Sequence, residues 1–266
     1  MQIERLMELL ENIAPRALAE EWDDPGLLIE PEQREISRAL VALDCTVEVA
    51  TEAKERGAQL VLTHHPLFFK PVRRIHYSQP DTAAAYALIR QGIGLLAAHT
   101  NLDCAWGGVN DALAQALGLS GVRAFPSGSP EDAAAIGMGR VGKLRAPMQL
   151  REFAVYVGQT LGAAARFGGD AASLVSRVAL IGGSGGKFAA EAKAAGADVL
   201  VSGEVKHSEA LDARALGIGI VEAGHYETER VVLAPLIAGL QAAQKDIQCT
   251  VDFILSKNEC APLIAP

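Results

Sequence analysis

Short apolar runs alternate with Ala-rich stretches whose apolar positions recur every three or four residues, and this alternation continues over most of the chain. The N-terminal M-Q-I-E-R-L-M-E-L-L places Ile3, Leu6, Met7, Leu9 and Leu10 on or near one face, which predicts an amphipathic helix. R-A-L-V-A-L-D-C-T (Arg38 to Thr46) reads as a strand entering a turn. A helix follows to near Arg56, and Gly57 leads into the strand A-Q-L-V-L-T (Ala58 to Thr63). Glycine suits the left-handed position that closes a helix. G-I-G-L-L-A-A-H, from Gly92, supplies a further strand.

The same order returns later in the chain. R-V-A-L-I-G-G-S (Arg177 to Ser184) is followed by a helix, Gly196, the strand A-D-V-L-V-S (Ala197 to Ser202) and G-I-G-I-V-E-A-G-H from Gly217. Without a gap, Arg38/Arg177, Ala50/Ala189, Glu52/Glu191, Ala53/Ala192, Lys54/Lys193, Gly57/Gly196 and Ala58/Ala197 are identical pairs. Ala-rich βαβ units can look alike by chance, but these pairs favour two related α/β lobes from an internal duplication. Alternating strands and helices predict a mainly parallel sheet in each. Phe125 to Arg151, rich in Gly, Pro and Ser at its start, breaks the pattern and is read as a domain boundary. F-A-V-Y-V (Phe153 to Val157) restarts strand character, with a helix expected after it around Leu161 and Ala163 to Ala165.

Composition narrows the function. Half of the 266 residues are hydrophobic and 21% are charged, as in an ordinary globular protein, and aromatics make up only 5%. A net charge of −8 and a pI near 5.3 argue against a broad nucleic-acid-binding face. The densest basic cluster, Lys70, Arg73, Arg74 and His76, is local. No apolar run approaches the ~18–20 residues that span a bilayer, and the acidic residues of the N-terminus do not suit a secretory signal. Cys45, Cys104, Cys249 and Cys260 form no C-x-x-C pair, so they are read as free thiols in a reducing cytoplasm.

The histidines carry the chemistry. Of six, four follow strand ends: His64 and His65 in L-V-L-T-H-H-P-L, His99 in L-L-A-A-H-T-N-L-D, and His225 in I-V-E-A-G-H-Y-E-T-E. Ligands collect beyond the carboxyl ends of parallel strands. Asp103 follows His99 and Glu229 follows His225, each by four residues. If a helix starts near His225, then His225 and Glu229 share a face. Neighbours in an extended segment point in opposite directions, so His64 and His65 suit two nearby ions better than one. Imidazole and carboxylate together suit zinc, manganese, iron, cobalt or nickel, without distinguishing them. A lone histidine at a strand end is more often an ordinary hydrogen-bonded residue, but this repetition points to metal. His76 is read as a loop residue, and His207, just past the Gly203–Glu204 counterpart of the His-His pair, as a residue that supports the metal ligands from behind or touches substrate.

Six ordered motifs carry a resemblance over essentially the whole chain: E-W-D-D-P-G-L (Glu21 to Leu27), T-H-H-P-L-F-F (Thr63 to Phe69), H-T-N-L-D (His99 to Asp103), I-G-G-S-G-G (Ile181 to Gly186), S-G-E-V-K-H (Ser202 to His207) and G-H-Y-E-T-E (Gly224 to Glu229). They resemble the YbgI family of dinuclear-metal-centre hexameric proteins, also called Nif-three-like or GTP cyclohydrolase type two-like. The resemblance implies two divalent ions per subunit held by His64, His65, Asp103, His225 and Glu229, with His99 beside them as ligand or catalytic proton carrier. It also implies a toroidal homohexamer. Asp24-Pro25 departs from the usual Asn-Val, in a segment taken as structural. Ligands from both ends of the chain imply one discontinuous lobe, residues 1–125 plus 220–266, with 126–219 inserted.

Metal-assisted hydrolysis is the expected reaction class, with GTP cyclohydrolase-type ring opening of a purine nucleotide as the specific reading. Arg73 and Arg74, with Lys70, are candidates to receive the phosphates, although a solvated loop would look the same. The G-G-S-G-G-K loop (Gly182 to Lys187) matches no phosphate-binding pattern and favours a tight turn. The alternatives are a metal-handling protein, for storage or as a chaperone, and a regulatory hexamer whose metals do no turnover.

Overall fold

The computed structural model describes every residue except 127–136, 246, 248, 249, 265 and 266. Residues 127–136 of the expected boundary segment and Cys249 therefore lie outside the described residues. The chain forms two compact units, Met1–Ala105 with Leu233–Cys260, and Trp106–Val232 with Ala261–Pro266.

Elements are numbered along the chain. The first unit holds α1 (Ile3–Ile13), β1 (Gly26–Ile29), β2 (Arg38–Ala42), α2 (Val47–Glu55), β3 (Leu60–Thr63), α3 (Pro80–Gln91), β4 (Gly94–Ala97) and α4 (Thr100–Cys104), together with α10 (Leu233–Ala243) and β11 (Asp252–Leu255). Its sheet runs β1-β4-β3-β2-β11. All neighbours are parallel except the edge strand β1. The α1 helix buries Ile3, Leu6, Leu9 and Leu10, as its periodicity predicts. Both β3 and β4 are buried throughout, which explains why they read as unbroken apolar runs.

The second unit holds α5 (Val109–Ala116), β5 (Ser120–Phe125), β6 (Gly139–Gln149), α6 (Leu150–Leu161), β7 (Arg166–Gly168), β8 (Leu174–Ile181), α7 (Ala189–Ala194), β9 (Val199–Ser202), α8 (His207–Leu216), β10 (Gly219–Glu222) and α9 (His225–Glu229). Its sheet runs β5-β6-β8-β9-β10-β7. Only β8, β9 and β10 are mutually parallel, so the expectation of a mainly parallel sheet holds for the first unit and for the centre of the second. Two cores flank this sheet, one including Val178, Leu180 and Val221, the other Ala179, Ile181 and Ile220, in the alternation a strand imposes.

Both units repeat one order, α-β-β-α-β-α-β followed by a short helix, from α1 to α4 and from α6 to α9. The resemblance extends to single hydrogen bonds. Gln59 Oε1 accepts from the N–H groups of Ser37 and Arg38, and Asp198 Oδ2 accepts from those of Ser176 and Arg177. Gly57 and Gly196 both take the expected left-handed conformation.

Three expectations change. F-A-V-Y-V is helical: Leu150, Phe153, Ala154, Val157 and Leu161 are buried at helical spacing within α6, and Gln149 and Glu152 cap its start. The stretch read as patternless contains the long strand β6. The units also divide elsewhere than at 125 and 220. Because β5 pairs with β6, and β10 lies between β9 and β7, residues 106–125 and 220–232 go with the second unit.

The C-terminal segment of the first unit is tied down by one buried carboxylate. Glu52 accepts from Ser256 Oγ at 2.6 Å, from the N–H of Lys257 at 3.0 Å, from that of Asn258 at 3.1 Å, and from Arg56 Nη1 at 2.7 Å. Burial pushes this carboxyl up, but hydrogen bonds from Ser256, Arg56, Lys257 and Asn258 outweigh that and hold it below its ordinary value. A depressed carboxyl contributes stability that is present above its unfolded pKa and lost as pH falls through the folded one. Glu52→Ala should therefore cost about 2–4 kcal/mol at neutral pH by urea denaturation. The stability gap between the wild type and Glu52→Gln should narrow as the medium is acidified.

Candidate metal centre

In the first unit, β3 and β4 run parallel with Thr63 beside Ala97, so the residues that follow emerge together. The His64 ring is fully buried, and its Nδ1 lies 2.8 Å from the Ala98 carbonyl. A carbonyl only accepts, so Nδ1 carries the proton and Nε2 presents a lone pair. His65 Nδ1 is 2.8 Å from Asp44 Oδ1, just past β2, and His99 Nδ1 is 3.0 Å from Asp23 Oδ1. Each carboxylate therefore orients a ring so that Nε2 faces away from it, as partners of metal-ligating histidines do. His64, His65 and His99 each offer a ligand atom within 4.8 Å of the others. Asp103, buried on α4, places Oδ1 3.6 Å from His64 Nε2.

The His64 and His65 rings do not diverge as strand alternation predicts. Their centroids are 4.9 Å apart, because the chain bends once β3 has ended, with the Thr63 hydroxyl donating to the His65 carbonyl at 2.7 Å. His99 caps α4, and Asp23 ties down that helix start by accepting from the Thr100 hydroxyl at 2.5 Å and its N–H at 3.1 Å. Burial pushes the Asp23 carboxyl up, but hydrogen bonds from His99 and Thr100 and the His99 charge outweigh it and leave it below its ordinary value.

In the second unit, α9 starts at His225 and ends at Glu229, on one face as the spacing predicts, with Nε2 and Oε2 3.1 Å apart. Glu204 Oε1 holds His225 Nδ1 at 3.0 Å. The Gly182 to Lys187 loop packs against this pair. Three of its N–H groups are taken internally: Gly182 by Asn110 Oδ1, Gly183 by Thr228 Oγ1, and Gly185 by Ser202 Oγ. That supports the tight turn over an anion cradle. Gly183 has φ +62°, and a Cβ there would run into Glu229 Oε1 and come within 3.2 Å of His225 Nε2.

Arg73 and Arg74 are exposed and line a cavity of about 720 Å³ with Phe69, Lys70 and His76. His207 opens α8 and lines a different cavity of about 760 Å³ with Lys193 and Arg214, residues with no part in the His225–Glu229 pair. Burial and the Asp44 charge push the Cys45 thiol up to about 12.

Four carboxylates escaped the sequence reading. Asp23 lies in a motif that reads as structural, and Glu204 reads only as the counterpart of a histidine. Asp44 ends an apolar strand, the one local signal that could have singled it out. Glu259, in a tail without periodicity, accepts from the N–H groups of Leu43 at 2.6 Å and Asp44 at 2.7 Å through one oxygen. Burial raises the Glu259 carboxyl, with the Asp44 charge adding to it and these N–H donors opposing it.

Comparison with known proteins matches the profile of Duf34/NIF3 (NGG1p interacting factor 3) to residues 1–262. A Clostridium perfringens protein named GTP cyclohydrolase 1 type 2 homolog is 35% identical over 264 residues, covering 98% of each chain. The crystal structure of a Bacillus cereus protein related to NIF3 superposes with a TM-score of 0.94 at 26% identity, covering 100% of this chain and 99% of that one. A solved structure of the protein ybgI, described as of unknown function, matches with a TM-score of 0.82 at 25% identity, over 96% and 98% of the two chains.

The Gly183 geometry is testable. Gly183→Ala should lower divalent-ion affinity about tenfold or more in equilibrium dialysis, because Cβ displaces Glu229 and His225. Gly162→Ala is the control: its φ is +68° with nothing within 4 Å, so it carries the same backbone strain of roughly 1 kcal/mol and should leave affinity unchanged.

Proposed function

The chain belongs to the Duf34/NIF3 family, and on that premise we propose that it is a dinuclear divalent-metal-dependent hydrolase that opens the ring of a purine nucleotide, as a GTP cyclohydrolase does. The observation that carries this reading is the anchoring of His64, His65, His99 and His225 through Nδ1, which suits their Nε2 atoms to a cation or a proton. The donors are nitrogen and carboxylate oxygen, a set that fits zinc, manganese, iron, cobalt or nickel. In this proposal His64, His65 and Asp103, with His225 and Glu229, hold two divalent ions. When bound, such ions lower the pKa of water and polarise a substrate oxygen.

The remaining roles belong to the chain itself. His99, oriented by Asp23 and flanked by His64 and His65, accepts and returns a proton at Nε2, while the ionised Asp23 stabilises the imidazolium. Trp22 and Phe69 stand edge-on to His99, with centroids at 5.8 and 5.6 Å, yet are 64% and 65% exposed, which leaves their outer faces for a flat heteroaromatic ring. Lys70, Arg73 and Arg74, immediately beyond Phe69, supply positive charge for a triphosphate. The relatives named GTP cyclohydrolase 1 type 2 homolog support the same choice of substrate. The working form in this proposal is a toroidal homohexamer in a reducing cytoplasm. No described helix is long and apolar enough to cross a membrane.

The test combines metal analysis with turnover. Purified protein should carry about two divalent ions per subunit and convert GTP, and His64→Ala and Glu229→Ala should each lose both properties. Arg73→Ala with Arg74→Ala should raise KM for GTP about tenfold with little change in kcat. Light scattering after gel filtration should report six subunits. Tightly held, exchangeable metal without turnover of GTP or other phosphorylated metabolites would replace the enzyme with a metal-handling protein.

A further inference from the structure

Glu259 lies far along the chain from every candidate ligand, yet only one residue separates it from His65. Its Oε1 accepts from the N–H groups of Leu43 and Asp44, fixing the turn that leaves β2. Two further bonds join that turn to His65: the His65 N–H donates to the Leu43 carbonyl at 2.9 Å, and Asp44 Oδ1 lies 2.8 Å from His65 Nδ1. The segment carrying Glu259 is itself held at successive residues. Ser256 N donates to the Val41 carbonyl at 2.8 Å, and Glu52 holds Ser256, Lys257 and Asn258.

We propose that Glu259 is a positioning residue for His65. By accepting two convergent N–H groups it locks the backbone of Asp44, so that the Asp44 carboxylate meets Nδ1 and aims Nε2 at the ion. The inference rests on the metal-centre reading and deepens it: the C-terminal strap of the first unit is part of what makes His65 a ligand. The role needs an acceptor oxygen at the end of a three-carbon reach and does not need the charge. A glutamine supplies that oxygen; an aspartate, one methylene shorter, does not reach.

Cobalt(II) alone serves as the probe, on the full-length protein. Affinity is measured by competition with a chelator, alongside thermal melting of the metal-free proteins. Glu259→Ala should bind cobalt about 10–100-fold more weakly, the usual effect of removing a partner that orients a ligand. Glu259→Gln should remain within about threefold of wild type, and Glu259→Asp should behave like the alanine variant and take its place if that proves too unstable to purify. If Glu259 acts through Asp44, the losses in Glu259→Ala and Asp44→Ala should be non-additive in the double variant. The paramagnetically shifted, exchangeable Nδ1–H signal of His65 in the cobalt protein should broaden with solvent exchange in Glu259→Ala and sharpen again in Glu259→Gln, which a merely structural role would not produce. Wild-type cobalt affinity in Glu259→Ala would overturn this proposal alone. A wild-type protein that binds no cobalt, zinc or manganese would overturn the metal-centre reading, and this proposal with it.

Discussion

An imidazole with both nitrogens free can rotate and exchange tautomers, and it then presents no fixed lone pair. Here each of the four candidate imidazoles is held at Nδ1 by an oxygen: His64 by the Ala98 carbonyl, His65 by Asp44, His99 by Asp23 and His225 by Glu204. The rest of the arrangement follows from that requirement. The acceptors for the first unit come from the ends of β2 and β4 and from the turn before β1, so β2, β3 and β4 must run parallel with their carboxyl ends level. The buried apolar strands behind them supply the rigidity that keeps such distances constant.

The two units show what a common frame does and does not impose. Thr63 pairs with Ala97 as Ser202 pairs with Glu222, so His64 and His65 occupy the positions of Gly203 and Glu204. One copy places imidazoles past its central strand. The other places a glycine and an acceptor for the histidine of the next element, and Gly203 allows a close approach, since a Cβ there would lie 2.6 Å from Thr228 Oγ1. Gln59 and Asp198, by contrast, do the same work in both copies: each sits just before the central strand of its unit and accepts two successive N–H groups of the neighbouring strand segment.

Acidic groups divide by what surrounds them. Asp23 and Glu52 are buried, but enough donors converge on each to keep the carboxyl below its ordinary value. Glu259 faces the Asp44 charge as well as burial, and its carboxyl lies above its ordinary value although two N–H groups donate to it. The same residue type thus has its carboxyl lowered in one place and raised in another by the groups that surround it.

Sequence alone determined the features that depend on short-range spacing. The apolar runs and their turns defined β2, β3, β4 and their counterparts, the identical pairs revealed the repeat, and the four-residue step from His225 to Glu229 predicted their shared helical face. Periodicity failed where length and capping had to arbitrate, as in α6, whose short apolar run mimics a strand while Gln149 and Glu152 cap a helix. Only the tertiary structure could decide the bend that brings His64 beside His65, the unit boundaries set by β5 and β10, and the acceptors Asp23, Asp44, Glu204 and, behind Asp44, Glu259. The physical reason is range. Hydrophobic periodicity is written within a few residues of itself, whereas the oxygen that orients a histidine, or the amide that an acid holds, can come from anywhere the fold brings close.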